Sequence, residues 1–412
     1  MPMMETRSRT LYAVWPLLAF GVLGCGTTSG QVAHAAHAGS KVNSMANMQV
    51  PWVHATAPPH QDLTAKAREV LRDELKFLSL FDGFALGHQE TTAYGVGWAA
   101  DPDRSDVKEV CGSHVAVYGW EIFRLERDEL QNGDGVNFAH MQTLIRQAHE
   151  RGGINTVSWH ADNPLTGGDA WDKRPAIAAV LPSGEHHRTF MAYLDRVADY
   201  LDSLRGAQNE GLPILLRLFH EQTGDWFWWG RQNKEEDYQE LFKLTVRYLR
   251  ESRGLSHLLF AFSPDGGRVF SKEEMLYGYP GDEFVDVIGV DYYLDPEQDR
   301  LLELVGWLVD AAAQHGKIPA LTEFGPREGI HRPGVEVDFL SRRVIEPLLS
   351  FDPGRRLAYV LAWRNARADH AFLPYPGHQA ARDLRKVCDM PQVLLSSDLK
   401  SLGPRGKPSL GP

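Results

Sequence analysis

The feature that most constrains the fold of this 412-residue chain is a regular alternation of short apolar runs and longer amphipathic stretches. Eight apolar runs are flanked by turn residues, at 84–87, 115–120, 154–160, 214–221, 258–262, 285–293, 319–324 and 358–363. Stretches with helical periodicity lie between them, at 138–150, 189–204, 235–251, 301–315 and 337–349. Strands that alternate with helices pair in parallel, so eight units predict an α/β fold, a (β/α)8 TIM barrel. A doubly wound open sheet is the alternative.

The two ends of the chain differ in composition from its middle. Residues 1–38 begin with basic side chains, and an apolar run at 11–24 follows that has the length of a signal-peptide core. Small, polar and Pro-containing residues at 39–60 predict a linker, and Gly and Pro at 399–412 predict a flexible tail. No internal repeat or composition break divides the part between them. A single domain is therefore expected at 61–398.

The predicted signal has two candidate ends. The segment Val22-Leu23-Gly24-Cys25 resembles a bacterial lipobox, which predicts cleavage before Cys25 and a lipid anchor on that residue. Cleavage after Ala38 would instead give ordinary secretion. We favour lipidation of Cys25, and both ends predict export, either as an outer-membrane lipoprotein or as a secreted protein. Cys111 and Cys388 then remain, as one disulfide or as two separate buried thiols.

Charge and motif spacing exclude several functions. The chain carries 43 Lys+Arg against 54 Asp+Glu, a net charge of −11, without a dense basic block, so nucleic acid is not expected as a partner. A zinc site is not predicted, because Gly224 stands four residues after His220, where H-E-x-x-H requires histidine. Residues 95–100 fit G-x-G-x-x-A but do not open a helix. No cofactor and no metal are therefore expected.

Polar and aromatic side chains follow nearly every apolar run. They are His88, Trp120-Glu121, Trp159-His160, His220-Glu221, Ser263 to Asp265, Asp291 to Tyr293, Glu323 and Trp363 to Asn365. In a (β/α)8 barrel the carboxyl ends of the strands form the active-site mouth, so these residues would meet there. Two carboxylates of this set, Glu221 and Glu323, are what glycoside hydrolysis needs. Aromatic residues at 226–229 and a total of 11 Trp suit the apolar faces of sugar rings.

Several motifs together resemble glycoside hydrolase family 26, whose best-known members are β-mannanases. They span about 280 residues in the order that the family has them: Gly87-His88-Gln89, Val117 to Glu121, Ser158-Trp159-His160, Asn163-Pro164, His220-Glu221, Trp226 to Gly230, Asp291-Tyr292-Tyr293, Thr322 to Gly325 and Ala362 to Ala366. The resemblance implies a (β/α)8 barrel and a retaining double displacement. Glu221 would be the acid/base after strand four, and Glu323 would be the nucleophile after strand seven.

The resemblance also implies roles around the two glutamates. His220 and Tyr293 would each hydrogen-bond the nucleophile, and Trp363 would form the sugar platform at the bond that is cleaved. One departure from the family pattern is Glu121, where aspartate is expected, and this leaves the role of that carboxylate open.

Other residues would contact the substrate away from the cleaved bond. The resemblance places Trp226 beside the acid/base on the leaving-group side, with His160 and Trp171 farther along that side. Arg364 would meet the non-reducing portion of the chain.

The two glutamates need different environments to perform these roles. Carboxyl groups of a retaining pair lie about 5–5.5 Å apart, and one must stay protonated while the other stays ionised. We expect mutual repulsion and burial among aromatic rings to raise the pKa of Glu221. Hydrogen bonds from His220 and Tyr293 would keep Glu323 charged.

The expected activity is that of a monomeric endo-β-1,4-mannanase acting on mannan, glucomannan or galactomannan. Hydrolysis of another β-glycan, either mixed-linkage β-glucan or β-1,3-xylan, is the alternative within the same class. A non-catalytic carbohydrate-binding protein on the same fold is the alternative from another class, and the presence of both Glu221 and Glu323 argues against it. Endo and exo cleavage are not distinguished by the sequence.

Overall fold

Eight parallel strands close into a barrel in the computed structural model, which describes residues 61–295 and 299–401. The strands are β1 (Phe84–Gln89), β2 (Val117–Glu121), β3 (Ile154–Ser158), β4 (Ile214–Arg217), β5 (Leu258–Phe262), β6 (Val287–Leu294), β7 (Ile318–Pro326) and β8 (Tyr359–Ala362). Each strand pairs with the next along the chain, and β8 pairs back with β1. The predicted (β/α)8 barrel is confirmed, and the open sheet is excluded.

Helices surround the barrel. They are α1 (Gln61–Leu78), α2 (Asp106–Cys111), α3 (Phe138–Glu150), α4 (Ile177–Val180), α5 (His187–Ser203), α6 (Glu235–Arg247), α7 (Leu301–Gln314), α8 (Glu346–Leu349), α9 (Ala381–Cys388) and α10 (Ser396–Ser401). Short 3-10 helices lie at Leu125–Arg127, Gly266–Arg268, Glu273–Leu276 and Gly354–Arg356. Three predicted amphipathic stretches correspond to α3, α5 and α7. The other two include π-helical turns, Tyr248–Ser252 after α6 and Leu340–Ile345 before α8.

The barrel strands are buried on both faces. Alternate strand residues such as Ala85, Val117 and Tyr359 form one apolar cluster with Leu75 and neighbouring residues of α1, which covers the amino-terminal end of the barrel. The intervening strand residues belong to a second cluster that includes the inner faces of the surrounding helices. Burial on both faces explains why the strands read as continuous apolar runs rather than as alternating patterns.

Some sequence predictions fall outside the described residues. These are the signal peptide with both of its candidate ends, the linker at 39–60 and the end of the tail. The described residues belong to one compact unit, Thr56–Pro412. Within them, no helix has the length and apolar character needed to cross a membrane. Helix α10 crosses the predicted domain boundary at 398, because Leu399 is buried against the barrel.

Two excursions from the barrel lie next to β1. The strands Tyr94–Gly95 and Trp98–Ala99 form a small antiparallel hairpin, so the G-x-G-x-x-A segment turns back on itself instead of opening a helix. A short strand, Val393–Leu394, pairs with the start of β1 and brings the end of the described chain back to the barrel.

Cys111 at the end of α2 and Cys388 at the end of α9 form a disulfide, which excludes two separate thiols. The two cysteines are 277 residues apart in sequence. The bond therefore joins the segment that follows β1 to the segment that follows β8, on the two sides of the seam where the barrel closes.

Replacing both cysteines with serine is expected to lower the free energy of unfolding by about 2–5 kcal/mol, since a long closed loop restricts the unfolded chain most. Denaturant unfolding of the double variant and of the oxidised wild type would measure this difference. The double variant should unfold alike with and without reductant. An unchanged denaturation midpoint would show that contacts between α2 and α9 hold the seam without the bond.

Candidate active site

Glu221 lies at the carboxyl-terminal end of the barrel, four residues beyond the end of β4. Its backbone is left-handed with a φ of +57°, and that of Phe219 is also left-handed with a φ of +44°. Residues other than glycine rarely adopt this conformation, which costs free energy and is found disproportionately at functional positions. The Glu221 amide donates a hydrogen bond of 2.8 Å to the carbonyl of Ser263 after β5, which anchors the turn.

The environment of the Glu221 side chain favours its protonated form. The indole N–H of Trp226 donates to Oε2 at 2.6 Å. Burial is the largest influence and raises the pKa of Glu221 well above its usual range, and the negative charges of Asp265, Glu323 and Asp291 raise it further, whereas the Trp226 hydrogen bond opposes them. The predicted direction is confirmed. A carboxyl group in this state can donate a proton.

Glu323 lies on β7, is only 4% exposed, and has a donor at each carboxylate oxygen. Arg217 Nη2 donates to Oε2 at 2.5 Å, and the Tyr293 hydroxyl donates to Oε1. Because the guanidinium is positively charged, its hydrogen bond to the carboxylate is stronger than one between neutral groups. These contacts stabilise a negative charge on Glu323, in contrast to the surroundings of Glu221.

Arg217 also binds a second carboxyl group. Its Nη1 donates to Asp291 Oδ2 at 2.5 Å, and Thr322 donates its hydroxyl to Asp291 Oδ1 at 2.7 Å. Burial raises the pKa of Asp291 to about 8, with Arg217 opposing and Glu323 adding to the rise. The planar guanidinium of Arg217, on β4, thus bonds to Asp291 on β6 and to Glu323 on β7 at the same time.

The predicted hydrogen bond from His220 to Glu323 is wrong. The ring of His220 turns to His160 instead, with 3.2 Å between the two Nε2 atoms, and both oxygens of Glu323 already have donors in Arg217 and Tyr293. Burial lowers the pKa of His220 well below its usual range, and the charges of Arg217 and His160 lower it further. His220 is therefore neutral.

Glu121, whose role the sequence left open, holds His160 in place. Its Oε2 lies 2.7 Å from His160 Nδ1 and accepts the Ser158 hydroxyl at 2.7 Å, while Oε1 accepts the backbone amide of His160 at 3.0 Å. Burial opposes ionisation of Glu121, but the charge and hydrogen bonds of His160 outweigh it and lower the pKa of the carboxyl group. Glu121 is thus a positioning residue for His160.

Aromatic rings extend from His160 on one side of the mouth. Trp171 is 46% exposed and stacks on His160 with 5.1 Å between ring centroids. Phe227 packs against both rings, at 5.3 Å from His160 and 5.8 Å from Trp171. Trp226 precedes it and is partly exposed. An exposed indole of this kind suits the apolar face of a sugar.

The other side of the mouth is formed at the end of β8. Trp363 lies 6.2 Å from His160 by ring centroids, and the Arg364 guanidinium carbon lies 5.5 Å from the Trp363 ring. Arg364 forms an ion pair with Asp134 and donates to the Tyr94 hydroxyl at 3.4 Å. Neither Asp134 nor Tyr94 was predicted from the sequence.

Two further contacts complete a chain that joins all nine predicted site residues. Phe227, which packs on His160, also packs on Trp226. Ser263, which accepts the Glu221 amide, donates its hydroxyl to Asp291 and so links Glu221 to Arg217 and Glu323.

The sequence did not predict four residues as hydrogen-bond or ion-pair partners of these side chains: Arg217, Asp291, Asp134 and Tyr94. The available signal for Arg217 was its position as a charged residue inside an apolar run. No group of three or more potential metal ligands occurs among the described residues.

A (β/α)8 barrel with two unlike carboxyl groups between aromatic walls is the architecture of a glycoside hydrolase. The sequence profile of glycosyl hydrolase family 26 matches residues 77–332. The chain belongs to this family.

Comparison with known proteins gives several similar sequences. The mannan endo-1,4-beta-mannosidase of Bifidobacterium adolescentis is 31% identical over 81% of this chain and 35% of its own length. A mannan endo-1,4-beta-mannosidase of Bacillus subtilis strain 168 is 30% identical over 55% of this chain and 62% of its own length. The chain therefore covers less than two thirds of the length of these relatives.

Solved structures match over most of their length. A GH26 beta-mannanase from Bacteroides ovatus is 36% identical, with a TM-score of 0.75 that covers 81% of this chain and 96% of the other. A modular endo-beta-1,4-mannanase from Cellulomonas fimi is 35% identical, with a TM-score of 0.74 that covers 82% of this chain and 77% of the other.

Proposed function

We propose that this protein is a retaining endo-β-1,4-mannanase. The observation that carries the proposal is the contrast between the two glutamates, since the surroundings of Glu221 raise its pKa and favour its protonated form, whereas Glu323 has a donor at each oxygen. A retaining glycosidase needs one carboxyl group of each kind. The mannanase names of the similar sequences and structures support mannan as the substrate.

In the proposed first step, a Glu323 oxygen attacks the anomeric carbon and forms a covalent bond to the sugar. The bond from that carbon to the glycosidic oxygen breaks, and this oxygen takes the proton of Glu221. In the second step Glu221, now ionised, accepts a proton from water, whose oxygen attacks the same carbon and releases Glu323 as a carboxylate. The two inversions leave the anomeric configuration unchanged.

The remaining residues position the substrate in this proposal. Trp363 supports the ring whose bond is cleaved, and Arg364 meets the non-reducing portion beyond it. Trp226, His160 and Trp171 lie along the leaving-group side.

Substrate assays and product analysis test the proposal. Purified protein should hydrolyse linear mannan, glucomannan or galactomannan, and NMR of fresh product should show the β-anomer first. Barley β-glucan and β-1,3-xylan serve as competing substrates. Equal rates on either of these would exclude a mannanase, and an α-anomer as first product would exclude retention.

Replacing Trp363 with alanine is expected to cost about 1–3 kcal/mol of transition-state stabilisation, which lowers kcat/KM about 5- to 150-fold. The reason is the loss of an aromatic surface against the ring at the cleaved bond. Steady-state kinetics on mannohexaose measure the effect, and Trp363→Phe is the matched control that keeps a ring. Similar kcat/KM for the alanine variant and the wild type would remove Trp363 from the site.

Replacing Trp226 with phenylalanine is expected to shift the basic limb of the kcat/KM profile to higher pH. The Trp226 N–H stabilises the charged form of Glu221, so its loss raises the pKa of Glu221 still further and keeps the proton donor loaded at higher pH. Profiles of both proteins from acid to alkaline pH measure the shift. A shift to lower pH would contradict the assignment of Glu221 as the acid.

The disulfide supports the proposal that the enzyme works outside the cytoplasm. Structural disulfides form and persist in oxidising compartments, and the bond between Cys111 and Cys388 lies in the described domain itself. The lipid anchor on Cys25 stays a prediction.

A further inference from the structure

A line of hydrogen bonds runs through three buried side chains and ends one residue before Glu221. Glu121 Oε2 lies 2.7 Å from His160 Nδ1, and His160 Nε2 lies 3.2 Å from His220 Nε2. The two imidazole rings stand almost perpendicular, at 84°, with 4.5 Å between their centroids. All three residues are at most 7% exposed. Glu121, His160 and His220 thus form a histidine relay that is shielded from bulk water.

The carboxylate at the start of the histidine relay fixes the position of each ring proton. At about pH 8, above the range in which imidazole ordinarily titrates, each ring carries one proton. Glu121 accepts a hydrogen bond, so the proton of His160 is on Nδ1 and its Nε2 is bare. His220 must then donate through its own Nε2, because two bare nitrogens cannot bond each other. The Nδ1 of His220 is therefore bare.

His160 has both of its ring nitrogens occupied in this arrangement. Nδ1 bonds to Glu121 and Nε2 bonds to His220, while Trp171 stacks on the ring at 5.1 Å between centroids. A sugar hydroxyl could bond a ring nitrogen of His160 only by breaking one of these hydrogen bonds. The geometry therefore makes His160 a link between Glu121 and His220.

The end of the histidine relay lies in the strained turn that carries Glu221. Phe219 and Glu221, on either side of His220, both have left-handed backbones. The carbonyl of His220 accepts the indole N–H of Trp229 at 2.9 Å, which fixes the peptide between them. The imidazole ring and the Glu221 carboxyl group are thus attached to consecutive residues of one fixed turn. A change in hydrogen bonding at the ring is transmitted to Glu221 through this turn.

We propose that Glu121 acts through His160 to fix the Nε2–H tautomer of His220, and that this tautomer aligns Glu221 for proton transfer to the leaving oxygen. Glu121 is then a positioning residue for the acid/base, two side chains away from it. The proposal rests on the proposed mannanase function and deepens it, because it names what holds the proton donor in register.

Replacing Glu121 with glutamine is expected to reverse both tautomers. Oε1 of Glu121 accepts the backbone amides of His160 at 3.0 Å and Phe123 at 3.1 Å, and these amides can only donate. The glutamine oxygen must take this place, so the NH₂ group takes the place of Oε2 and donates to His160 Nδ1. Ser158 can turn its hydroxyl to the carbonyl of Trp120 at 3.2 Å. The His160 proton then moves to Nε2, and that of His220 moves to Nδ1.

NMR of the ring nitrogens measures the tautomers directly, in full-length protein labelled with ¹⁵N-histidine at about pH 8. Spectra of His160→Asn and His220→Asn each lack the signals of one ring and so assign them. Glu121→Asp keeps the charge and the acceptor and should retain the wild-type tautomers. Asp383→Asn is the matched loss of a buried carboxylate on α9 and should retain them as well. Melting temperatures show that each variant is folded.

Kinetics test the alignment of Glu221 separately. We expect Glu121→Gln to lower kcat on mannohexaose about tenfold, the effect of one misplaced buried hydrogen bond. The burst on a dinitrophenyl β-mannoside should keep its wild-type rate, because this leaving group needs little acid assistance. Asp383→Asn should match the wild type on both substrates.

Each part of the proposal has a result that overturns it. Unchanged tautomers in Glu121→Gln, or a doubly protonated His160 in the wild type at this pH, would overturn the histidine relay. Reversed tautomers with wild-type kcat, or with an equal loss on both substrates, would overturn the alignment of Glu221. All of these results leave the mannanase function intact. A wild type inactive on every mannan would refute the mannanase function and the alignment of Glu221 with it.

Discussion

Glu323→Ala is expected to reduce kcat on mannan by at least about 10⁴-fold, because removal of the proposed nucleophile leaves no group to form the glycosyl-enzyme. The alanine cannot attack the anomeric carbon, and water has no position prepared on that face. Activity on mannohexaose and mass analysis for a trapped glycosyl-enzyme with a 2-fluoro mannoside measure the loss. The wild type should gain the mass of one sugar, and the variant should gain none.

This variant needs a control for folding, because Arg217 loses one of its two carboxylate partners. Glu323→Gln keeps the shape and an oxygen acceptor and should be equally inactive while unfolding at a temperature closer to the wild type. Asp383→Asn is a matched change of a buried carboxylate on α9, whose partner is the Ser341 amide, and should retain activity. A Glu323→Ala enzyme with more than about a hundredth of wild-type kcat would exclude Glu323 as the nucleophile.

The barrel could be predicted because its strands are buried on both faces and therefore stand out as apolar runs. The predicted ends of the strands were less accurate, because a residue can be buried without belonging to a strand. The run at 214–221 predicts a strand that continues to Glu221, but β4 ends at Arg217. Leu218 and Phe219 are fully buried without being in a strand, and the left-handed backbone at Phe219 ends the pairing. Hydrophobicity reports burial, and burial alone does not fix the backbone conformation.

The two glutamates could be found from the sequence because the carboxyl ends of barrel strands converge whatever the details of the loops. Their partners are set by three-dimensional contacts. Arg217 is an inward-facing residue inside an apolar run, and its function depends on Asp291 and Glu323, which are 74 and 106 residues further along the chain. Asp134 meets Arg364 only because the loop before α3 folds over the β8 end.

His220 shows how a role inferred from a family resemblance depends on side-chain rotation. Its position next to Glu221 was predicted, but its ring faces the Nε2 atom of His160. The other ring nitrogen of His160, Nδ1, is held by Glu121. The buried Nδ1 of His220 has no hydrogen-bond partner among the described residues. Glu323 instead accepts hydrogen bonds from Arg217 and Tyr293, so the resemblance predicted one of its two donors.

Glu221→Ala is expected to lower kcat on mannan by about 10³- to 10⁴-fold, because an unactivated sugar alcohol cannot leave without a proton. A dinitrophenyl β-mannoside needs little acid assistance, so this substrate should still load Glu323 in a rapid burst and then stall, since the base that activates water is missing. Stopped-flow release of dinitrophenol measures the burst. The basic limb of the pH profile for the residual activity on mannan should also disappear, because the proton donor with the raised pKa has been removed.

Azide separates the two glutamates by the stereochemistry of the product. In Glu221→Ala a small anion fits where the carboxyl group was, attacks the glycosyl-enzyme without needing a base, and should restore turnover with the β-mannosyl azide as product. In Glu323→Ala no glycosyl-enzyme forms, so azide can attack only from the opposite face and would give the α-mannosyl azide. NMR of the isolated azides distinguishes the two configurations. A β-azide from Glu323→Ala together with an α-azide from Glu221→Ala would reverse the two roles, and the Trp226 hydrogen bond would then belong to the nucleophile.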